Sequence, residues 1–247
     1  MNVAELLVQK IADAGITHVF AVYGSAIAGL VDAVTREPRL ILITTIHEQS
    51  AGFAAEAYAK VTGKPGVAIA TSGPGALNFC TPIANCFYDS VPALFITGNV
   101  ATGFQAGAGE RQRGFQECPI VAVVASITKA AWGIGLGHGL GPPEKAIAAA
   151  LWLAQDGRPG PVLLDLPADV AREDATNWQP AREVYDTVSY SVVPFVADYL
   201  AALQTAERPL ILVGGGARKA AGDLRDFATI LRLDVGPEGV KYHHSQM

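Results

Sequence analysis

Half of the 247 residues are hydrophobic and 17% are charged, so the chain can bury a sizeable core and reads as globular rather than disordered. A formal net charge of −5, with 18 scattered Lys and Arg, excludes a basic face and with it nucleic acid as the expected partner. No stretch reaches the ~18 apolar residues of a membrane span, residues 1–10 lack a signal-peptide pattern, and Cys80, Cys86 and Cys118 form no C-x-x-C pair, so a cytoplasmic protein with reduced thiols and no metal-ligand set is expected.

Helical periodicity over residues 3–14 leads to a short β-branched run at 19–22, and a longer apolar run at 40–46 leads to an Ala-rich helix over 49–62. A strand is predicted at 66–70, a helix over 76–88, a strand at 93–97, a helix over 143–155 and a strand at 162–166. Strand and helix in alternation imply an α/β fold, a parallel sheet with helices on both faces. Continuous apolar strands suit the middle of such a sheet, and ligands gather at the carboxyl ends of its strands. The loops at 23–28, 47–50, 71–75 and 98–114 follow those ends.

From about residue 171 the composition turns polar and Pro-containing. The expected organisation is a first domain over 1–170, a linker over 171–193 and a partial second α/β domain over 194–247, with helices at 194–205 and 218–232 around a strand at 209–213. About 55 residues cannot easily close a doubly wound domain alone, and the glycine-rich stretch 135–141 reads as a flexible extension before the helix at Pro143.

Two loops carry candidate chemistry. His47-Glu48-Gln49 opens a helix after an apolar strand. Glu48 is either a charge complementing the helix N-terminus, worth ~0.3–1 kcal/mol, or a carboxyl in an apolar pocket that shares a proton. Thr71-Ser72-Gly73-Pro74-Gly75 is a rigid turn that lets a flat ligand or a phosphate approach the backbone, but it is neither a Walker loop nor a dinucleotide fingerprint.

Taken in order, Thr45-Ile46-His47-Glu48-Gln49-Ser50-Ala51, Ala55-Glu56-Ala57-Tyr58-Ala59, Thr62-Gly63-Lys64-Pro65-Gly66-Val67, Thr71 to Asn78 and Asp89-Ser90-Val91-Pro92 resemble the pyrimidine-binding domain of thiamine-diphosphate enzymes. Phe115-Gln116-Glu117, Thr128-Lys129 and the strand from Gly160 to Pro167 resemble acetolactate synthases in particular. The resemblance implies that Glu48 contacts the aminopyrimidine ring nitrogen and favours the imino tautomer, whose exocyclic nitrogen takes the proton that activates the cofactor, that Pro74 and Asn78 line that ring with Gly24 in the cofactor-binding loop after the first strand, and that Ser25, Phe115, Gln116 and Lys129 lie near the substrate, with Gln116 also catalytic. Lys129 reads equally well as a surface lysine. Gly214-Gly215-Gly216 is either a tight turn or a cradle for an FAD phosphate, which some relatives bind in their central domain.

Two departures stand out. Tyr23 and Ser25 occupy positions of the first loop where acetolactate synthases usually carry proline and glycine, which bears on substrate class. Gly-Asp-Gly, which in the family holds Mg2+ and the diphosphate, does not occur in these 247 residues. The expectation is therefore the pyrimidine half of a 2-oxo acid decarboxylase or carboligase, a homodimer or larger oligomer through this domain, with the diphosphate-binding domain on a second chain or missing. The alternative is a non-catalytic remnant or truncated fragment that serves only as a dimerisation or interaction module.

Overall fold

The apolar runs at 66–70 and 93–97 become the centre of a sheet. In the computed structural model, which describes residues 1–107, 109–135, 143–177, 198–199, 201–203, 205–206 and 221–230, six parallel strands stand in the order β2-β1-β3-β4-β6-β5. They are β1 (His18–Ala21), β2 (Ile41–Thr44), β3 (Gly66–Ala70), β4 (Ala93–Asn99), β5 (Ala130–Gly133) and β6 (Pro161–Pro167). Every residue of β3, β4 and β6 is buried, which explains why these strands read as unbroken apolar runs.

Side-chain alternation divides the strands between two cores. Val67, Ile69, Leu94, Ile96, Val162 and Leu164 face one core, which α1 (Val3–Asp13), α2 (Ala28–Arg36) and α7 (Pro143–Gln155) also fill. Register pairs Val67 with Leu94 and Leu94 with Val162, so these side chains form a continuous row. Each such Val, Leu or Ile contributes about 1.5–3 kcal/mol by leaving water.

The opposite core is built closer. Ala68, Ala70 and Ala93 face Ala51, Ala55 and Ala59 of α3 (Glu48–Thr62). With so little side chain between them, α3 lies almost on the backbone of β3. The Ala-rich composition of this helix thus fixes its height above the sheet, and its first residue is Glu48. The start of α3 is set by His47, whose Nδ1 accepts from the Gln49 N–H, and its end by Gly63 in the left-handed region.

Some elements differ from expectation. The run at 40–46 forms an edge strand, β2, with Ile41 53% exposed and Ile43 38% exposed, not an interior one. The helix expected over 76–88 is two, α4 (Pro74–Leu77) and α5 (Cys80–Tyr88). Neither α2 nor β5 was foreseen, nor the short α6 (Ile120–Val124).

The chain divides into two compact units, Met1–Val184 and Tyr185–Met247. Residues 173–175 belong with the start of the chain: the Val3 N–H donates to the Glu173 carbonyl, the Ala175 N–H donates to the Met1 carbonyl, and Asn2 bridges to Asp174. In the second unit a helix spans Ala221–Ile230, inside the helix expected over 218–232. The glycine stretch 136–141, most of the expected linker, the strand at 209–213, the turn Gly214-Gly215-Gly216 and the last residues lie outside the described residues. Among the described residues no helix is long and apolar enough to cross a membrane.

Candidate active site

The chain leaves β1 toward the edge strand β2 and returns past β1 to β3, so the direction of winding reverses between β1 and β3. Crevices for ligands form at the carboxyl ends of strands where this happens. Loops after β2, β1, β3 and β4, neighbours in the sheet, meet there and carry His47-Glu48, Tyr23-Gly24-Ser25, Thr71 to Gly75 and the segment leading to Gln116.

Glu48 is half-buried at the first turn of α3. Its Oε2 accepts a hydrogen bond of 2.8 Å from Asn78 Nδ2. Among the described residues no hydrogen bond falls on Oε1. A Cβ on Gly75 would sit 3.2 Å from that Oε1 and 2.7 Å from Thr71 Cγ2. Glycine here keeps the second carboxylate oxygen accessible, so one oxygen is oriented and the other is offered.

Thr71 is the floor shared by two loops. A Cβ on Gly24 would lie 2.3 Å from Thr71 Cβ, so the loop after β1 can rest on the loop after β3 only as glycine. Ser25 follows, exposed, at the start of the turn Ser25–Ile27, and Pro74 starts α4, where its missing N–H leaves no helix bond unmade. Gly73 has φ +60° and faces Gln116, whose carbonyl oxygen would lie 2.6 Å from a Cβ there. Gln116 itself has φ +58°, and its neighbour Phe115 is 85% exposed.

Gly24, Ser25, Glu48, Pro74, Asn78, Phe115 and Gln116 therefore share one end of the sheet. Lys129 does not. It precedes β5, at the amino end of the parallel sheet, and its Nζ donates to the carbonyls of Leu153 and Asp156, both at 2.5 Å, closing the last turn of α7. Burial lowers its pKa, against the pull of Asp156. We expect Lys129→Met to cost about 1–2 kcal/mol in a urea melt; an unchanged urea midpoint would mean that these two bonds do not hold the end of α7.

Three contributors were not singled out from the sequence. Thr71 and Gly75 were named only as parts of a turn, and their signal was the clustering of glycines around a small residue. Asp165 was named only within its strand. It is 6% exposed and accepts 2.6 Å bonds from Thr97 Oγ1 and Asn99 Nδ2, while Asn99 Oδ1 receives the Val100 N–H. This network fixes the end of β4 from which the Gln116 segment departs.

Comparisons with known proteins place the chain in a family. Residues 1–123 match the family model described as the thiamine pyrophosphate enzyme, N-terminal TPP binding domain. Acetolactate synthase 2 of Brassica napus chloroplasts is 36% identical over 237 residues, covering 94% of this chain and 36% of that protein. The acetolactate synthase large subunits of Buchnera aphidicola and Corynebacterium glutamicum are each 34% identical, covering 94% and 98% of this chain and 40% of each relative. The chain thus spans well under half the length of the relatives it matches. The family's N-terminal domain match spans the β1 to β4 loops around Glu48, and the chain belongs to the thiamine pyrophosphate enzymes, acetolactate synthase-like.

Proposed function

We propose that this chain supplies the pyrimidine-binding half of a thiamine-diphosphate-dependent 2-oxo acid decarboxylase or carboligase. The observation that carries the proposal is the Glu48 carboxylate, with Oε2 held by Asn78 and Oε1 facing the space that Gly75 leaves. A carboxyl at the edge of a flat ring can hold or yield a proton at Oε1. When bound, the cofactor supplies an electron sink for the carbon that loses CO2. Asn78 keeps the carboxylate in one rotamer, and Gln116 and Phe115 stand beside the ring site from the β4 side, where a 2-oxo acid would be met.

The other half of the cofactor needs other ligands. Gly-Asp-Gly is absent from the sequence, and among the described residues no group of three His, Cys, Asp or Glu could hold a metal. On this proposal Mg2+ and the diphosphate are held by a separate domain, and the chain assembles as a homodimer or larger oligomer, or with a second chain that carries that domain. FAD at Gly214-Gly215-Gly216 and a cytoplasmic setting are further proposals.

Calorimetry and turnover test the proposal together. The 247-residue chain alone should bind thiamine diphosphate weakly or not at all with Mg2+ present, and a diphosphate-binding domain added to it should produce cofactor-dependent CO2 release from a 2-oxo acid. Tight, Mg2+-dependent binding by the chain alone would remove the need for a separate anchor. No turnover in the mixture would favour the interaction module.

A further inference from the structure

The segment between β4 and Cys118 carries Phe115 and Gln116, and two carboxylates set its shape. Glu110 holds the tip: its Oε2 accepts from the Gly107 N–H at 2.8 Å and pairs with the Arg113 guanidinium at 2.7 Å. Glu117 spans the base. Oε1 accepts from the Ala106 N–H at 2.6 Å, and Oε2 accepts from the N–H groups of Arg113 at 2.8 Å and Gly114 at 3.1 Å. Those donors come from both limbs, so one side chain closes the loop on itself. Burial would raise the Glu117 carboxyl, but the three N–H groups and Arg113 outweigh it and hold it below the usual range.

Gln116 lies directly before this carboxylate. Its φ of +58° falls in the left-handed region, which a non-glycine residue keeps only when its surroundings hold it there. On one side it abuts Gly73, so closely that a Cβ on Gly73 would meet Gln116 Cβ at 2.9 Å. On the other, Gly114 packs against the Phe104 carbonyl and the Val100 side chain, and Asn99 Nδ2 reaches the Cys118 carbonyl at 3.4 Å. Among the described residues Glu117 is the one side chain that ties Gly114, Arg113 and Ala106 together at this point.

We propose that Glu117 is the positioning residue of the site: its carboxylate closes the loop from Ala106 to Glu117 and so holds Gln116 in its left-handed conformation against Gly73. Its consequence for a 2-oxo acid rests on the function proposed above; the closure of the loop does not.

Hydrogen exchange on the full chain, read by mass spectrometry or NMR, tests the closure. In the wild type the amides of Ala106, Arg113 and Gly114 should be protected. In Glu117→Gln, which loses the charge and one acceptor oxygen, they should exchange about tenfold faster while amides of β3 and β4 keep their rates. With a diphosphate-binding domain added, Glu117→Gln should raise the KM for the 2-oxo acid about tenfold and leave half-saturation by cofactor unchanged, with Glu117→Asp in between. Unprotected wild-type amides at these positions overturn the proposal, even if the variant fails to fold. Faster exchange without a change in KM also overturns the positioning role, because it leaves only a structural one. If the wild-type mixture turns nothing over, the 2-oxo acid function fails by itself and exchange still decides whether Glu117 closes the loop.

Discussion

Replacing Glu48 by glutamine should lower cofactor-dependent 2-oxo acid turnover about 1000-fold, within the range removed with a general acid or base, and leave the fold intact. The geometry explains why both results are expected together. Glutamine keeps the length of the side chain, and its amide oxygen can accept the Asn78 Nδ2 hydrogen bond that Glu48 Oε2 accepts at 2.8 Å. Its amide nitrogen then occupies the place of Oε1, beside Gly75, and presents N–H donors where an acceptor able to take a proton stood. The loss is confined to the proton-moving step, so kcat should fall while the melting temperature and the position of α3 stay put. Asn78→Ala offers a graded comparison. It frees the carboxylate to rotate without removing it, so a loss of about tenfold is expected. Turnover unchanged in Glu48→Gln would refute the role given to this residue, and equal losses in the two variants would assign the effect to orientation alone.

Much of the scaffold behind that site was legible because burial on two faces leaves a plain trace in the sequence. The strand at 66–70 and the helix at 143–155 fall where the apolar pattern put them. The pattern misled where tertiary contacts decide. Ala130, Ala131, Trp132 and Gly133 contain no β-branched residue, and they become β5 by pairing with the side of β6 opposite β4. The helix read over 76–88 breaks at Asn78 and Phe79, since Pro74 starts one short helix and Pro82 sits in the first turn of the next, where proline is tolerated. Asn78, at that break, is the residue that reaches Glu48.

For the candidate site residues, the sequence offers names and not partners. Glu48 could be picked out from the order of motifs around it. The donor on its carboxylate comes from thirty positions away, the three amides held by Glu117 come from a loop with no periodicity, and the carbonyls that take Lys129 belong to a helix end some twenty-five residues further on. Contacts of this kind depend on how α3, α7 and the β4 loop pack, which no local pattern encodes.

Gly66→Ala should destabilise the first unit by about 3 kcal/mol or more, at the upper end of what overpacking costs. A Cβ at this position would stand 1.9 Å from the Ala55 carbonyl oxygen and 2.5 Å from its carbon, so the obstacle is helix backbone and no rotamer can yield. Restoring ordinary contact requires α3 to rise by roughly 1.5 Å, and the dispersion contacts across the Ala51, Ala55 and Ala59 face would be lost with it. Gly29→Ala is the matching control: nothing lies within 4 Å of its added Cβ, it sits inside α2 with ordinary φ, and it should be neutral or stabilising by about 0.5–1 kcal/mol. Urea midpoints of the two variants read both values. Since α3 begins with Glu48, a lifted helix also draws the carboxylate away from Asn78 and Gly75. A Gly66→Ala protein that still folds should therefore lose turnover in the assembly, although residue 66 lies at the amino end of β3, the far end of the strand from the site. Full stability in Gly66→Ala would mean that α3 does not lie as close to β3 as its alanine face requires.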